Sequence, residues 1–375
     1  MGMDRRTLLA ALASAGVARR AWADGPDFNI GVVASVTGPF AAPTKDTFDG
    51  FNVWLKNHGL PGRTVKIETL DDETNPVNAA NLFRRLAGDP KISLIYTFIN
   101  STSAIATKSF ASEYKVPIIS GGGADALGHP ADPWFYKIAP ANRDYMVALC
   151  EYMKRKGLKK LGIFYSNDTF GKYDHDNLHD LTPKYGIQII DEESFSADDT
   201  NFNAQITRLR SAAPDLIYSS ASGRAAILSF RQFKQLGIAV PLVDTGSGIS
   251  DAFFNAIGGA DKADGLMAMT QLGSLSGGGG QGGDSDKYYA ELKAGLGGKA
   301  PVFFNAFGYD VGLITAAAVA NSDGSRQGIR DAIEKLKDLP GVNGPISYTP
   351  EDHTGQDSRS IAVGRLQGGS FFKAD

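Results

Sequence analysis

Residues 92–110, ISLIYTFINSTSAIATKSF, hold the key to the architecture. The first seven are almost all apolar, β-branched or aromatic, which is the composition of a strand buried on both faces. The alanine-rich run that follows reads as a helix. Three hydroxyl side chains, Ser101, Thr102 and Ser103, therefore fall where a strand stops and a helix starts. Free N–H groups at a helix start, joined by hydroxyls that accept and donate, suit an anion such as a carboxylate. The alternative is that Ser101 or Ser103 is a plain helix cap.

Working outward, the same alternation recurs on both sides. Strand-like runs occupy 28–35, 64–70 and 116–120, separated by helical patterns in which Phe48, Phe51 and Leu55 recur at helical spacing, or which Gly88 closes. A second βα series follows Pro140, with strand-like runs at 159–166, 187–194, 215–221 and 240–245. Strand–helix alternation of this kind makes parallel sheets covered by helices, so the fold class is α/β with two doubly wound sheets. The remainder is less regular. GLMAMTQ (265–271), PISYT (345–349) and SIAVGRL (360–366) read as strands, and 303–321 and 327–337 as helices. SLSGGGGQGGDSD (274–286) reads as a solvated loop too flexible to pack, and no Lys-Ser or Lys-Thr pair follows it as a phosphate loop would require.

A chain of 375 residues exceeds what one core usually serves, so two domains are expected. With 42% hydrophobic and 21% charged residues the composition is that of a globular chain, and no basic block marks a nucleic-acid partner. The single cysteine, Cys150, excludes an intrachain disulfide and is expected to be buried. Residues 1–23 read as an export signal: Arg5-Arg6 followed by Thr7, Leu8 and Leu9 resembles a twin-arginine pattern, an apolar stretch follows, and Ala21 and Ala23 suit a signal peptidase. Cleavage near Ala23 leaves Asp24 first and lowers 38 basic and 41 acidic residues to 34 and 40, a net charge of −6. Arg19 and Arg20 interrupt the apolar run too early for a membrane anchor, and no other segment reads as a span. The periplasm is the expected location.

Catalytic signals are thin. No G-x-S-x-G nucleophile elbow occurs. GGGADA (121–126) formally fits a dinucleotide fingerprint, but Gly128, His129 and Pro130 cut short the helix that the fingerprint must open. His175 and His179, four residues apart beside Asp174, Asp176 and Asp180, could chelate a cation, although a polar exposed helix face explains them better. No catalytic residue, cofactor or metal is expected.

GVVASVTGPFA, VKIETLDDETNP, FINSTSAIA, VPIISGGG and YSNDTFGK, in that order, resemble the leucine/isoleucine/valine-binding type of periplasmic solute-binding protein, the receptor component of ABC importers. The resemblance spans essentially the whole chain after the signal. It implies a type I periplasmic binding protein: two doubly wound lobes, 24–140 plus 271–355 and 141–270 plus 356–375, joined by three crossovers, with a small-molecule ligand held in the cleft. It also implies an ABC permease in the inner membrane as partner. An extracytoplasmic sensor domain shares the fold and is the alternative outside transport.

In the amino-acid-binding relatives a serine and a backbone group of the next strand-end loop hold the ligand carboxylate, and the matching positions are Ser101 and Gly122. Thr102 and Gly123 flank them. The relatives hold the ligand ammonium with a threonine and a second-lobe acid; Ala124 and Gly246 stand at those positions, and Asp244, two residues away, could substitute only in a shifted loop. A second-lobe aromatic falls on Phe170, and another falls on or beside Gly223. Ser101 and the glycine loop thus keep the anion donors, while the ammonium partners are gone. The expected ligand is a carboxylate, an aromatic acid by preference, with its apolar body against Phe40, Phe98, Phe170 or Tyr173. An amino acid or a small amide is the alternative ligand.

Overall fold

The computed structural model describes residues 26–374 apart from Pro39, Ile99, Ala197, Ser247, Gly248 and Ser250. The expected export signal, 1–23, lies outside the described residues.

Two sheets organise the chain. The first contains β1 (Asp27–Ala34), β2 (Thr64–Asp71), β3 (Ile92–Phe98), β4 (Ile118–Ser120) and β5 (Phe135–Lys137), all parallel, in the order β2-β1-β3-β4-β5. Its early crossovers are the helices α1 (Ala41–Asn57), α2 (Pro76–Gly88), α3 (Ser101–Tyr114) and the single turn α4 (Asp125–Gly128). Strand β3 is buried along nearly its whole length, as its apolar sequence requires, whereas the edge strand β2 carries the more polar TVKIETLD and is largely open. Separate cores fill the two faces. Phe51, Trp54, Tyr96 and Phe98 meet one set of helices, and Phe83, Leu86, Ile95 and Ala104 pack on the other side.

Helix α5 (Asn142–Lys156) opens the second unit, followed by β6 (Lys160–Ser166), α6 (Thr169–Tyr185), β7 (Gln188–Phe195), α7 (Asn203–Ser211), β8 (Leu216–Ser219), α8 (Gly223–Gln235), β9 (Leu242–Asp244), α9 (Asp251–Ile257) and β10 (Met267–Gln271). The chain then returns to the first unit as α10 (Gly283–Gly295), α11 (Phe303–Ala320) and α12 (Arg326–Glu334), before β11 (Ile361–Gln367) and β12 (Ser370–Lys373) complete the second sheet. That sheet has the order β12-β11-β10-β9-β8-β6-β7, antiparallel only at β10–β11–β12. Cys150 is buried in its core beside Leu149 and Met153.

The segments that join the units touch one another. Lys137 N–H donates to the His353 carbonyl at 2.8 Å, Gly355 N–H to the Lys137 carbonyl at 2.7 Å, and Gln356 N–H to the Ile138 carbonyl at 3.1 Å. Two of the joining segments therefore leave the edge of the first sheet side by side. Lys137 is fully buried between them, its Nζ donating to the Pro140 carbonyl at 3.0 Å; burial lowers it to about 8 against the opposing pull of Asp125, Asp144 and Asp352.

Three sequence expectations need correction. PISYT forms no strand of either sheet; Ile346 makes only an isolated bridge to Leu339. The glycine run packs instead of floating: Gly277, Gly278 and Gly279 adopt φ of 74°, 68° and 72°, Gly278 is buried, and Gly277 N–H donates to the Tyr289 hydroxyl at 3.3 Å. Positive φ is the reason this tract needs glycine, and a left-handed turn rather than slack is what the run encodes. Finally, α11 is long and apolar enough by length and composition to cross a membrane, but 72% of it is buried inside the protein. It is apolar all round because it is enclosed among α1, α12 and the first sheet.

Candidate ligand-binding site

The carboxyl ends of parallel strands are where open α/β sheets present ligand-binding loops. At the end of β3 the cap of α3 is neither Ser101 nor Ser103: Asn100 accepts the Ser103 N–H on its side-chain oxygen at 2.9 Å and the Ala104 N–H on its carbonyl. The three hydroxyls are thereby released to three destinations. Ser101 Oγ accepts the Ala124 N–H at 3.2 Å, which ties the start of α3 to the loop after β4. Thr102 is exposed, and Ser103 is buried with no partner for its hydroxyl among the described residues.

Ser101, Gly122, Gly123 and Ala124 are thus brought together, with a hydroxyl proton of Ser101 left over for an acceptor. A methyl group on Gly122 would come within 3.4 Å of Ser101 Oγ and 2.3 Å of Leu127. Gly122 N–H leans on Ser120 Oγ at 3.3 Å, so among the loop amides it is the less available one. Gly123 N–H has no acceptor among the described residues, and the first N–H groups of α3 have no helical acceptor by construction. These groups and the positive end of a fourteen-residue helix converge on one corner.

The neighbouring loops after β1 and β2 are tied to each other through groups with no signal of their own in the sequence. Ser35 Oγ donates to Asp72 at 2.7 Å and Thr37 Oγ1 to Asp71 at 2.7 Å, joining the loop after β1 to that after β2. Phe40 sits at the start of α1, half-buried, edge-on to Phe304 with 5.8 Å between centroids. Phe98 is withdrawn from any ligand. It is 2% exposed and packed among Phe48, Phe51, Tyr96 and Phe307, because it is the last inward position of a central strand.

In the second unit Phe170 lies half-buried on the first turn of α6, and Tyr173 on the next turn is exposed. Asp168 caps α6, accepting the Gly171 N–H at 2.9 Å and the Ser166 hydroxyl at 2.8 Å. Gly223, exposed at the start of α8, has open space where a side chain would stand. Gly246 follows β9 with φ of 82°, and a methyl there would meet the Met269 carbonyl at 2.3 Å. Glycine is therefore demanded at 246 by the backbone, whatever the ligand. Asp244 does not stand in for a cleft acid. It is buried, accepts the Gly246 N–H at 2.8 Å and bonds Ser219, and it lines a small interior cavity with Phe230 and Phe253. Burial pushes its carboxyl up to about 7 against those hydrogen bonds.

A further acid reads in the sequence only as a polar neighbour of the histidine pair. Asp174 is four residues after Phe170 and hence on the same face of α6; it is 2% exposed and accepts the Tyr218 hydroxyl at 2.7 Å. Burial raises it to about 7, the Tyr218 bond opposes this, and the charges of Asp125 and Asp168 raise it further. Asp125 belongs to the first unit, directly after Ala124, and accepts the Asn142 N–H at 2.9 Å.

Residues 27–370 match the family model described as periplasmic binding protein. The chain belongs to the periplasmic binding protein family. It is 26% identical over 70% of its length, and 71% of the relative's, to the Leu/Ile/Val-binding protein homolog 3 of Brucella melitensis. It superposes with a TM-score of 0.72 and 25% identity on an extracellular ligand-binding receptor from Rhodopseudomonas palustris HaA2, covering 92% of this chain and 99% of that one. An ABC-transporter solute-binding protein from R. palustris solved in complex with benzoate shares the fold, with a TM-score of 0.71, 20% identity and coverage of 93% and 95%. This periplasmic binding protein has the α/β fold expected, and the Brucella melitensis relative it resembles is one named for Leu/Ile/Val binding.

Proposed function

We propose that this chain is the solute receptor of an ABC importer, and that it closes lobes 24–140 plus 271–355 and 141–270 plus 356–375 around a small carboxylate with no α-ammonium. Aromatic acids are the preferred class. The observation that carries this reading is the corner formed by Ser101 Oγ, the start of α3 and the loop 122–124, where donors converge. In the second unit Asp244 is buried against its own turn, and Asp168 spends one carboxylate oxygen on the cap of α6. Phe170, Tyr173 and Phe40 supply apolar surface, and Gly223 leaves room. The benzoate bound by a protein of the same fold is in keeping with that class. Residues 1–23 direct export to the periplasm and are removed near Ala23; the chain hands its ligand to a permease and leaves it chemically unchanged.

The test compares phenylalanine with 3-phenylpropanoate by calorimetry, since the two differ only at the ammonium. Enclosing an unpaired charge costs several kcal/mol, so the amino acid should bind about a hundredfold more weakly, at 1.4 kcal/mol per tenfold. Ser101→Ala should weaken the acid by about ten- to a hundredfold, the worth of a hydrogen bond to a charged group. Equal or tighter binding of phenylalanine would overturn the reading and point to Asp168, whose second carboxylate oxygen has no partner among the described residues, as the counter-charge.

A further inference from the structure

The histidines of α6 have a partner that their own helix does not reveal. His175 and His179 project from one face of α6 toward Glu192, the fifth residue of the edge strand β7. Glu192 Oε2 lies 3.1 Å from His175 Nε2 and 2.8 Å from His179 Nε2, and the three ligand atoms all fall within 4.8 Å of one another. We propose that His175, His179 and Glu192 bind one divalent ion of the zinc class on the outer face of the second lobe, apart from the ligand-binding corner.

Four observations carry this. An ion held tetrahedrally at roughly 2.0–2.1 Å from nitrogen and oxygen ligands sets those ligands about 3.3 Å apart, so the two measured separations need little change to admit one. His175 is oriented as a metal ligand must be, because its Nδ1 faces the Asp176 carboxylate at 2.9 Å, and with the ring proton donated there the Nε2 lone pair is turned toward Glu192. A lone pair and a carboxylate oxygen facing each other at 3.1 Å repel unless a proton or a metal ion lies between them. The ring is also clamped from behind, with Tyr165 packed on it at 4.5 Å between centroids. Lastly, Glu192 has no lysine or arginine partner among the described residues, whereas its neighbour Glu193 is paired with Arg208.

The donor set is two imidazoles and one carboxylate, which selects zinc, nickel or copper over calcium or magnesium. His179 and Glu192 are both half open to water, so solvent completes the coordination sphere. The ion would bolt α6 to the sheet edge, a role that needs neither the carboxylate ligand nor a permease.

The probe is zinc chloride titrated calorimetrically into chelator-treated, untagged mature protein. One equivalent should bind, and His179→Ala and Glu192→Gln should each weaken it at least tenfold, while His129→Ala, an exposed histidine elsewhere, leaves it unchanged. Cobalt(II) should give the intense visible absorption of a tetrahedral site with the unaltered chain, a readout that does not depend on how the variants fold. Absence of saturable zinc binding, or equal binding by the His179 and Glu192 variants, would overturn the proposal, as would an octahedral cobalt spectrum.

Discussion

Asp174 shows how a single carboxyl couples this lobe to pH. An unfolded aspartate ionises near pH ~4, while burial holds Asp174 at about 7 in the folded chain. Below the lower value the group is neutral in both states and has no effect. Between the two values the unfolded chain has released a proton that the folded chain still keeps, so stability falls as pH rises, and above about 7 the full penalty applies. Asp174→Asn keeps an oxygen for the Tyr218 hydroxyl and abolishes the titration. In urea unfolding the variant should match its parent near pH ~4 and exceed it by at least tenfold in the folding constant near pH ~8, since each unit of pKa is worth about 1.4 kcal/mol. A difference between variant and parent that is the same at both pH values would refute this account. Its burial is invisible in the sequence, where His175 and Asp176 beside it make the stretch look like an exposed polar face.

At the scale of elements, the glycine turn at 277–280 offers a matched pair of substitutions. Gly277 and Gly278 share the left-handed backbone, so alanine at either costs about 1–2 kcal/mol in conformation. Only at Gly278 does the new methyl also meet Tyr289, at 2.9 Å, whereas at Gly277 nothing lies within 4 Å. Gly278→Ala should therefore be the more destabilising by about 1–3 kcal/mol, the usual cost of overpacking, read from urea midpoints; equal midpoints would mean that Tyr289 yields freely. The same segment shows why sequence reading stops where it does. Long apolar runs such as ISLIYTF announce β3, and alternating polar runs announce β2 and β7. β5 and β12 escape because three or four residues carry no period, and PISYT misleads because only Ile346 of it pairs. The strand-to-helix corner at Ser101 is legible from local chemistry. Which hydroxyl goes where is not, since Asn100 takes the cap and the Ser101 partner lies 23 residues on. Glu192 escapes for a related reason: it stands 13 residues beyond His179, on the next strand.

For the whole molecule, the two sheets with their separate cores are expected to move as bodies about the joining segments. Small-angle scattering with saturating 3-phenylpropanoate should show a smaller radius of gyration at unchanged mass, the mark of hinge closure without association. Identical curves with and without a ligand that calorimetry shows to be bound would count against closure.

The two joining segments laced together at Lys137–Ile138 and His353–Gln356 bear on how such closure proceeds. One strand of chain between two bodies is a swivel, free to twist as well as bend. Two strands hydrogen-bonded edge to edge behave as a ribbon, compliant across its face and stiff against torsion. Lobes hinged on such a ribbon would be confined to something close to a single opening coordinate. A partner that grips both lobes can then sense occupancy from one distance alone, without having to recognise what lies between them.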